Sequence, residues 1–192
     1  MKHKYELNES IPLAFVGQAG CGKTFEAKAL MLQLFFEEHR HIFIIGEDFE
    51  YGDMVLKTNG SGTGISLLRN PADEPAIVID PEKNYSVVPS EIDPKTDGGF
   101  LYFEKLSAAD GISLLIPDSD EDIIFAIDKV AELAAENKDK KFVLLLDAET
   151  GNKSREKLIQ ANGDNLFCVM TAQNAAGQLP KTRADYNIIP LP

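Results

Sequence analysis

The sequence contains little cysteine, and its two cysteines cannot build the disulfide framework of a small secreted domain. Cys21 lies in a glycine-rich loop and Cys168 in an apolar run, so neither placement suggests a metal cluster. The 3 histidines do not stand at ligand spacing from cysteine or carboxylate residues. Cysteines kept apart in this way fit a reducing compartment, and we expect a cytoplasmic protein.

Positive charge is scarce as well. Lys and Arg number 19 against 31 Asp and Glu, which gives a formal net charge of -12. Nucleic-acid binding draws affinity from Lys and Arg, so this balance argues against a chain that wraps DNA or RNA by itself. Arginines are also too few for the arginine-rich lid of a small-molecule kinase. They are Arg40, Arg69, Arg155 and Arg183.

Long hydrophobic runs are missing too. No stretch approaches the roughly 18 apolar residues that cross a bilayer, and residues 1–10 lack the apolar core of a signal peptide. We therefore predict no membrane span. A length of 192 residues suits one compact domain, so we predict a single domain over residues 1–192, with an irregular insertion at about 81–110 where turn-forming residues dominate.

The most specific pattern present is GQAGCGKT, a complete phosphate-binding loop. An apolar strand pattern precedes it at residues 12–16, and a helical pattern follows with apolar residues spaced three and four apart. The glycines turn backbone N–H groups toward phosphates, Lys23 reaches the β and γ phosphates, and the Thr24 hydroxyl binds Mg²⁺. The predicted nucleotide-binding residues are Gly17, Gln18, Ala19, Gly20, Cys21, Gly22, Lys23 and Thr24.

The position of Cys21 has two interpretations. Its place near a helix N-terminus suggests an oxidisable thiol that controls nucleotide binding. Alternatively, it fills a freely variable position of the loop motif.

The rest of the chain alternates between strand and helix patterns, which predicts a three-layer α/β domain with a mostly parallel central sheet. Ser119 and Asp122 form a capping-box start for a helix that ends near Asn137. A hairpin or loop is expected at 57–64. Strands are predicted at 41–46, 76–80, 142–146 and 166–171, the first two as interior strands of the parallel sheet, and a short helix is predicted at 154–162.

Asp147 ends the apolar strand FVLLL, where a Walker B aspartate would help to hold Mg²⁺. Glu149 follows two residues later and is our candidate for polarising the attacking water. The alternatives are an ordinary acid at a strand end for Asp147 and a solvated loop acid for Glu149.

Thr171, Gln173 and Asn174 follow the last predicted strand, where motor ATPases place side chains that sense the γ-phosphate or the water. Gln173 is the sensor candidate. The other reading is that these residues only end the strand and begin a turn.

About 120 residues separate Lys23 from Asp147, with at least two strands between them, so the Walker B strand is not the next strand in sequence. This spacing favours a RecA-like P-loop NTPase of the additional-strand class. The nearest approach to a guanine-binding N/T-K-x-D motif is NKSR from Asn152, which lacks the aspartate. We therefore expect ATP and Mg²⁺ as cofactors.

Four stretches resemble the motor domains of VirB4/TraG-like conjugative (type IV secretion) ATPases, within the HerA/FtsK-type branch. They are GQAGCGKT, IFIIGEDFEYGDMVLKTNGSGTGISL, FVLLLDAE and VMTAQN. The sequence departs from the family where Asp147-Ala148-Glu149 replaces adjacent Asp-Glu and where Gly46-Glu47 replaces Asp-Pro. The resemblance implies a homo-oligomer with Arg183 or Arg155 as a finger reaching the neighbouring subunit, and a translocated protein or DNA partner.

Three functions compete at this point. The first is an ATPase in which Lys23, Glu149 and Gln173 take part in catalysis and Thr24 and Asp147 hold the metal. The second is a nucleotide-dependent switch or accessory protein, favoured by the displaced Glu149 and the acidic composition. A small-molecule kinase ranks third.

Overall fold

A computed structural model of the chain describes residues 7–46, 51, 54, 65–68, 77–79, 86–87, 112–115, 117, 119–173 and 187–191. The loop predicted at 57–64 lies outside the described residues, and so does the insertion predicted at 81–110 apart from 86–87. The assignment of the whole chain to one domain stays a prediction.

The described residues include nine strands and three full helices, and each of these helices connects one strand to the next. The strands are β1 (Leu13–Gly17), β2 (His41–Gly46), β3 (Ile65–Leu68), β4 (Ile77–Ile79), β5 (Ser86–Val87), β6 (Ile112–Leu115), β7 (Phe142–Asp147), β8 (Leu166–Gln173) and β9 (Asn187–Pro190). The helices are α1 (Lys23–Glu38), α2 (Asp120–Glu136) and α3 (Asn152–Ala161). Every helix in the described ranges is too short or too polar to cross a bilayer.

The strands form one sheet in the order β5-β4-β3-β6-β2-β7-β8-β1-β9. All neighbours from β3 to β9 in that order run parallel. β8 lies between β1, which leads into the phosphate loop, and β7, which ends at Asp147. The inserted β8 confirms the RecA-like, additional-strand arrangement, and the fold is the three-layer α/β fold predicted from the sequence.

The strand predicted at 76–80 is present as β4, but its predicted place inside a parallel sheet is wrong. β4 pairs antiparallel with both β3 and β5. The chain between β3 and β4 spans residues 69–76, and a parallel crossover needs a dozen or more residues. A connection this short therefore returns the chain in the opposite direction. Strands β3, β5, β6 and β9 were not predicted from the sequence, and β5 lies within the stretch predicted to be an irregular insertion.

The side chains of each strand alternate between the two faces of the sheet, so both faces are apolar. Helices cover both faces. Leu13, Phe15 and Ile44 pack against α1 on one face, while Val16, Ile45 and their neighbours pack against α2 and α3 on the other. α1 buries Ala27, Leu30, Met31 and Leu34 in the first of these cores.

The predicted start of α2 is confirmed. Ser119 precedes the helix in an extended conformation, and its side chain accepts a hydrogen bond from the Asp122 N–H at 3.2 Å. Asn137 ends the helix, as predicted. α3 ends at Ala161, one residue before the predicted end.

The ends of the parallel strands define two edges of the sheet. The carboxyl edge is where β1, β2, β7 and β8 end, at Gly17, Gly46, Asp147 and Gln173. The amino edge is where the same strands begin, at Leu13, His41, Phe142 and Leu166. Ligands of open α/β sheets bind outside the carboxyl edge, so this is where a site is expected.

Candidate nucleotide site

The loop after β1 has the backbone that its glycines permit. Gly20 has φ 78 and Gly22 has φ 91, both in the left-handed region that side chains strain to adopt. The Cys21 N–H donates to the Gln18 carbonyl at 3.3 Å, and α1 begins immediately after Gly22. The first backbone N–H groups of α1 therefore face the mouth of the loop, which suits an anion.

Gly17 is required by packing. A Cβ at this position would lie 2.4 Å from Cys21 Sγ and 3.1 Å from the Leu191 carbonyl oxygen. The Cys21 side chain therefore rests against the Gly17 backbone, and Cys21 is half-buried. This contact gives Cys21 a packing role in the loop.

The Lys23 side chain folds over the loop. Its Nζ donates to the carbonyl oxygens of Gly17 at 3.0 Å and Gln18 at 2.8 Å, and it lies 3.9 Å from Cys21 Sγ. The ammonium group is thus held among the residues that the motif assigns to phosphate binding. Its two carbonyl partners are neutral, so an anionic ligand offers it a stronger interaction.

Asp147 contacts residues from three separate parts of the sequence. In the sheet it pairs with Gly46 of β2. Its Oδ2 accepts hydrogen bonds from the Thr24 hydroxyl at 2.9 Å and from the Tyr51 hydroxyl. Its Oδ1 accepts a hydrogen bond from the Thr171 hydroxyl. The structure therefore brings the phosphate loop and the predicted Walker B aspartate into direct contact.

The donor set at this point fits magnesium, which prefers oxygen ligands. The Thr24 O–H donates to Asp147, so the lone pairs of Thr24 Oγ1 are left to face a metal ion. A carboxylate has about four acceptor positions, and the three hydroxyls leave one of them, on Oδ1. Thr24 could therefore bind the ion directly, and Asp147 could accept from a water bound to it.

Glu149 and Gln173 lie at the same edge of the sheet, and both are exposed. Gln173 is the last residue of β8 and pairs in register with Gly17. Glu149 lies two residues beyond the end of β7. The structure places Gln173 beside the first residue of the phosphate loop and Glu149 just past Asp147, while Asn174 lies outside the described residues.

The loop that carries Glu149 is tied to the start of α2. The Gly151 N–H donates to Asp120 Oδ1 at 3.2 Å and to Oδ2 at 3.1 Å. A Cβ on Gly151 would lie 2.5 Å from Asp120 Oδ2, so only glycine permits this approach without moving the carboxylate. Ser154 Oγ also donates to Asp120 Oδ1 at 3.4 Å.

The structure describes one of the two arginines that were proposed as fingers. Arg155 lies on α3 with 7% of its surface exposed, and a guanidinium so buried cannot reach a neighbouring subunit without rearrangement. Arg183 lies outside the described residues.

Sequence reasoning missed two of the three hydroxyls on Asp147. Thr171 was noticed only as part of TAQN, although its position two residues before the end of a central strand is a usable signal. Tyr51 lies in the string GEDFEYGD at the end of β2, where it is one of two aromatic residues among acids, and this offers a weaker signal.

The fold and the loop define a P-loop NTPase architecture, and the comparison with solved structures agrees. The chain is similar to the genome packaging NTPase B204 from Sulfolobus turreted icosahedral virus 2 in complex with ATP-gammaS. The TM-score is 0.51 at 11% identity, over 91% of this chain and 70% of that chain.

The same viral NTPase in complex with sulfate gives a TM-score of 0.49 at 11% identity, over 90% of this chain and 69% of that one. No protein-family model and no curated protein sequence matches the chain. At 11% identity, the likeness to the complex with ATP-gammaS shows the fold alone.

Proposed function

We propose that the chain binds ATP with Mg²⁺ at the phosphate loop and hydrolyses it. The observation that carries the proposal is the 2.9 Å hydrogen bond from Thr24 Oγ1 to Asp147 Oδ2, which joins two motifs 123 residues apart in sequence. A capping or packing role for either residue would not require this pairing. A site that binds Mg²⁺ and phosphate together would.

Each site residue then has a distinct task. The loop amides and Lys23 bind the phosphates, and Thr24 with Asp147 holds the metal. Magnesium, when bound, neutralises charge on the phosphate oxygens. Gln173 orients a water toward the γ-phosphorus, and Glu149 accepts its proton as the new P–O bond forms and the bond to the β-γ bridging oxygen breaks.

A nucleotide-dependent switch is the second candidate, and one observation favours it. Glu149 stands two residues past Asp147, and the exposed side chain lies on a loop held by the Gly151–Asp120 contact. If that loop keeps the carboxylate away from the water, the chain binds ATP without turnover until a partner moves the loop.

We further propose that the chain is a motor related to VirB4/TraG-like conjugative ATPases, and that it acts as a homo-oligomer on a protein or DNA partner in the cytoplasm. The four motif stretches support this relation. The similar viral protein is named a genome packaging NTPase, and this name supports a translocation function for the present chain. The net charge of -12 favours a partner protein over unaided nucleic-acid binding.

The test combines calorimetric titration of Mg-ATP with phosphate release, for the native protein and two variants. We expect Lys23→Ala to weaken binding by about a hundredfold or more, and Glu149→Gln to bind ATP but lose turnover. The matched control for the first is Lys141→Ala, because Lys141 also donates to a carbonyl, that of Asp164 at 2.6 Å, but at the amino edge. Glu156→Gln, an exposed acid on α3, is the control for the second.

Three outcomes separate the candidates. Binding with turnover that depends on Glu149 supports the ATPase, and binding without turnover supports the switch. No binding by the native protein rejects both. Turnover per chain that falls on dilution would support a site shared between subunits.

A further inference from the structure

Tyr51 contacts the candidate metal site, although neither the phosphate-loop motif nor the Walker B motif includes it. Its side chain is 1% exposed and belongs to the core that α1 covers, together with Met54. Lys28 Nζ lies 5.3 Å from the centre of its ring. A Cβ added to Gly46 would lie 3.5 Å from Tyr51 Cδ2, which is an ordinary van der Waals distance, so the ring packs directly against the end of β2.

Packing therefore fixes where the Tyr51 hydroxyl can point. It donates to Asp147 Oδ2, the oxygen that also accepts from Thr24 Oγ1. The two hydroxyls fill the two acceptor positions of Oδ2, while Thr171 takes one position on Oδ1. The carboxylate is held from both sides, so it cannot rotate without breaking a hydrogen bond to a residue whose position is set by the core.

We propose that Tyr51 is a positioning residue for the magnesium site: its hydroxyl holds Asp147 in the orientation that lets Thr24 present its oxygen to the metal. This inference rests on the proposed function. Partners that orient a metal-holding group commonly change metal affinity by 10–100-fold when removed. Tyr51 thereby links the end of β2 to the phosphate loop and to β7.

The variant Tyr51→Phe tests this directly, because it keeps the ring in the core and removes only the hydroxyl. The measurement is binding of a non-hydrolysable ATP analogue by calorimetry, with Mg²⁺ titrated at fixed nucleotide and a parallel series in EDTA. We expect the Mg²⁺ concentration for half-maximal binding to rise by about tenfold. Binding in EDTA is expected to equal that of the native protein.

Met54→Leu is the matched control, since it disturbs the same core but leaves every Asp147 donor in place. A purely structural role for Tyr51 would lower the unfolding midpoint in both variants and leave the Mg²⁺ dependence unchanged. An unchanged or lower Mg²⁺ requirement in Tyr51→Phe would overturn the inference while leaving the nucleotide site intact. Failure of the native protein to bind Mg-nucleotide would instead overturn the proposed function.

Discussion

The two edges of the sheet use polar groups in different ways. At the amino edge, opposite charges meet: Arg40 donates to Glu9 at 2.6 Å and 3.0 Å and also to Glu38. Asn162 is held there as well, donating to the Glu9 carbonyl at 3.0 Å and accepting from the Cys168 N–H at 2.8 Å. Burial alone lowers the pKa of Arg40, but its hydrogen bonds and attraction to Glu9 and Glu38 outweigh this and raise it.

At the carboxyl edge, the charged groups are held by neutral ones. Lys23 donates to two carbonyl oxygens, and Asp147 accepts from three hydroxyls. Charges arranged in this way stay available to a ligand of opposite sign. The amino edge thus pairs its charges with one another, which stabilises the fold, whereas the carboxyl edge leaves its charges for a ligand.

The largest expected effect is at the carboxyl edge. Asp147→Asn keeps the shape of the side chain but removes the charge that holds a cation, so Mg-dependent nucleotide binding should weaken by about a hundredfold. The amide oxygen still accepts hydrogen bonds, and the hydroxyls that face the new NH2 group can turn to accept from it, so we expect the free energy of unfolding to change by less than about 1 kcal/mol. Calorimetry and urea unfolding measure the two quantities. A large loss of stability with normal binding would erase the distinction between the edges.

The reverse pattern is expected at the amino edge. Arg40→Met removes the guanidinium that pairs with Glu9 and Glu38. We expect a loss of about 2 kcal/mol in the free energy of unfolding, less than for a fully buried pair because Glu9 is 37% exposed. Mg-ATP binding by the folded protein should not change.

Lys129→Met is the control for Arg40→Met. Lys129 pairs with Glu132 at 2.6 Å on the surface of α2, and breaking such a pair should cost less than about 0.5 kcal/mol. Equal losses in the free energy of unfolding for the two variants, measured by urea unfolding, would contradict the larger contribution that we assign to Arg40.

The smallest expected effect lies between the edges. Burial raises the pKa of the Cys168 thiol above its ordinary value of 9.0, so the unfolded chain ionises first as the pH rises. The stabilising contribution is complete below pH 9 and declines above it, by about 1 kcal/mol at pH 10. Cys168→Ala should remove this part of the pH dependence. Native and variant curves that stay parallel from pH 8 to 10 would contradict it.

The sequence predicted the central part of the fold well because that part depends on local signals. Apolar runs marked β2, β7 and β8, and Ser119 marked the start of α2. The prediction of an inserted strand followed from the distance between Lys23 and Asp147. The orientation of β4 depends on the length of a connection rather than on residue type, and periodicity alone does not show it.

The site was predicted in the same uneven way. Thr24 and Asp147 were found because their motifs are fixed in spacing. Tyr51 was assigned no role because its contact with Asp147 spans 96 residues and depends on how β2 and β7 align. The roles of Glu149 and Gln173 stay predictions, since they depend on where a bound nucleotide and water lie.

The position of β1 has a consequence for biosynthesis. It pairs with β8 on one side and β9 on the other, so both of its neighbours leave the ribosome roughly 150 residues later. At about 5–20 residues per second, that delay is on the order of ten seconds. The GQAGCGKT segment is therefore translated before both strands that flank its own strand, and β1 cannot take its place between them until β9 has emerged.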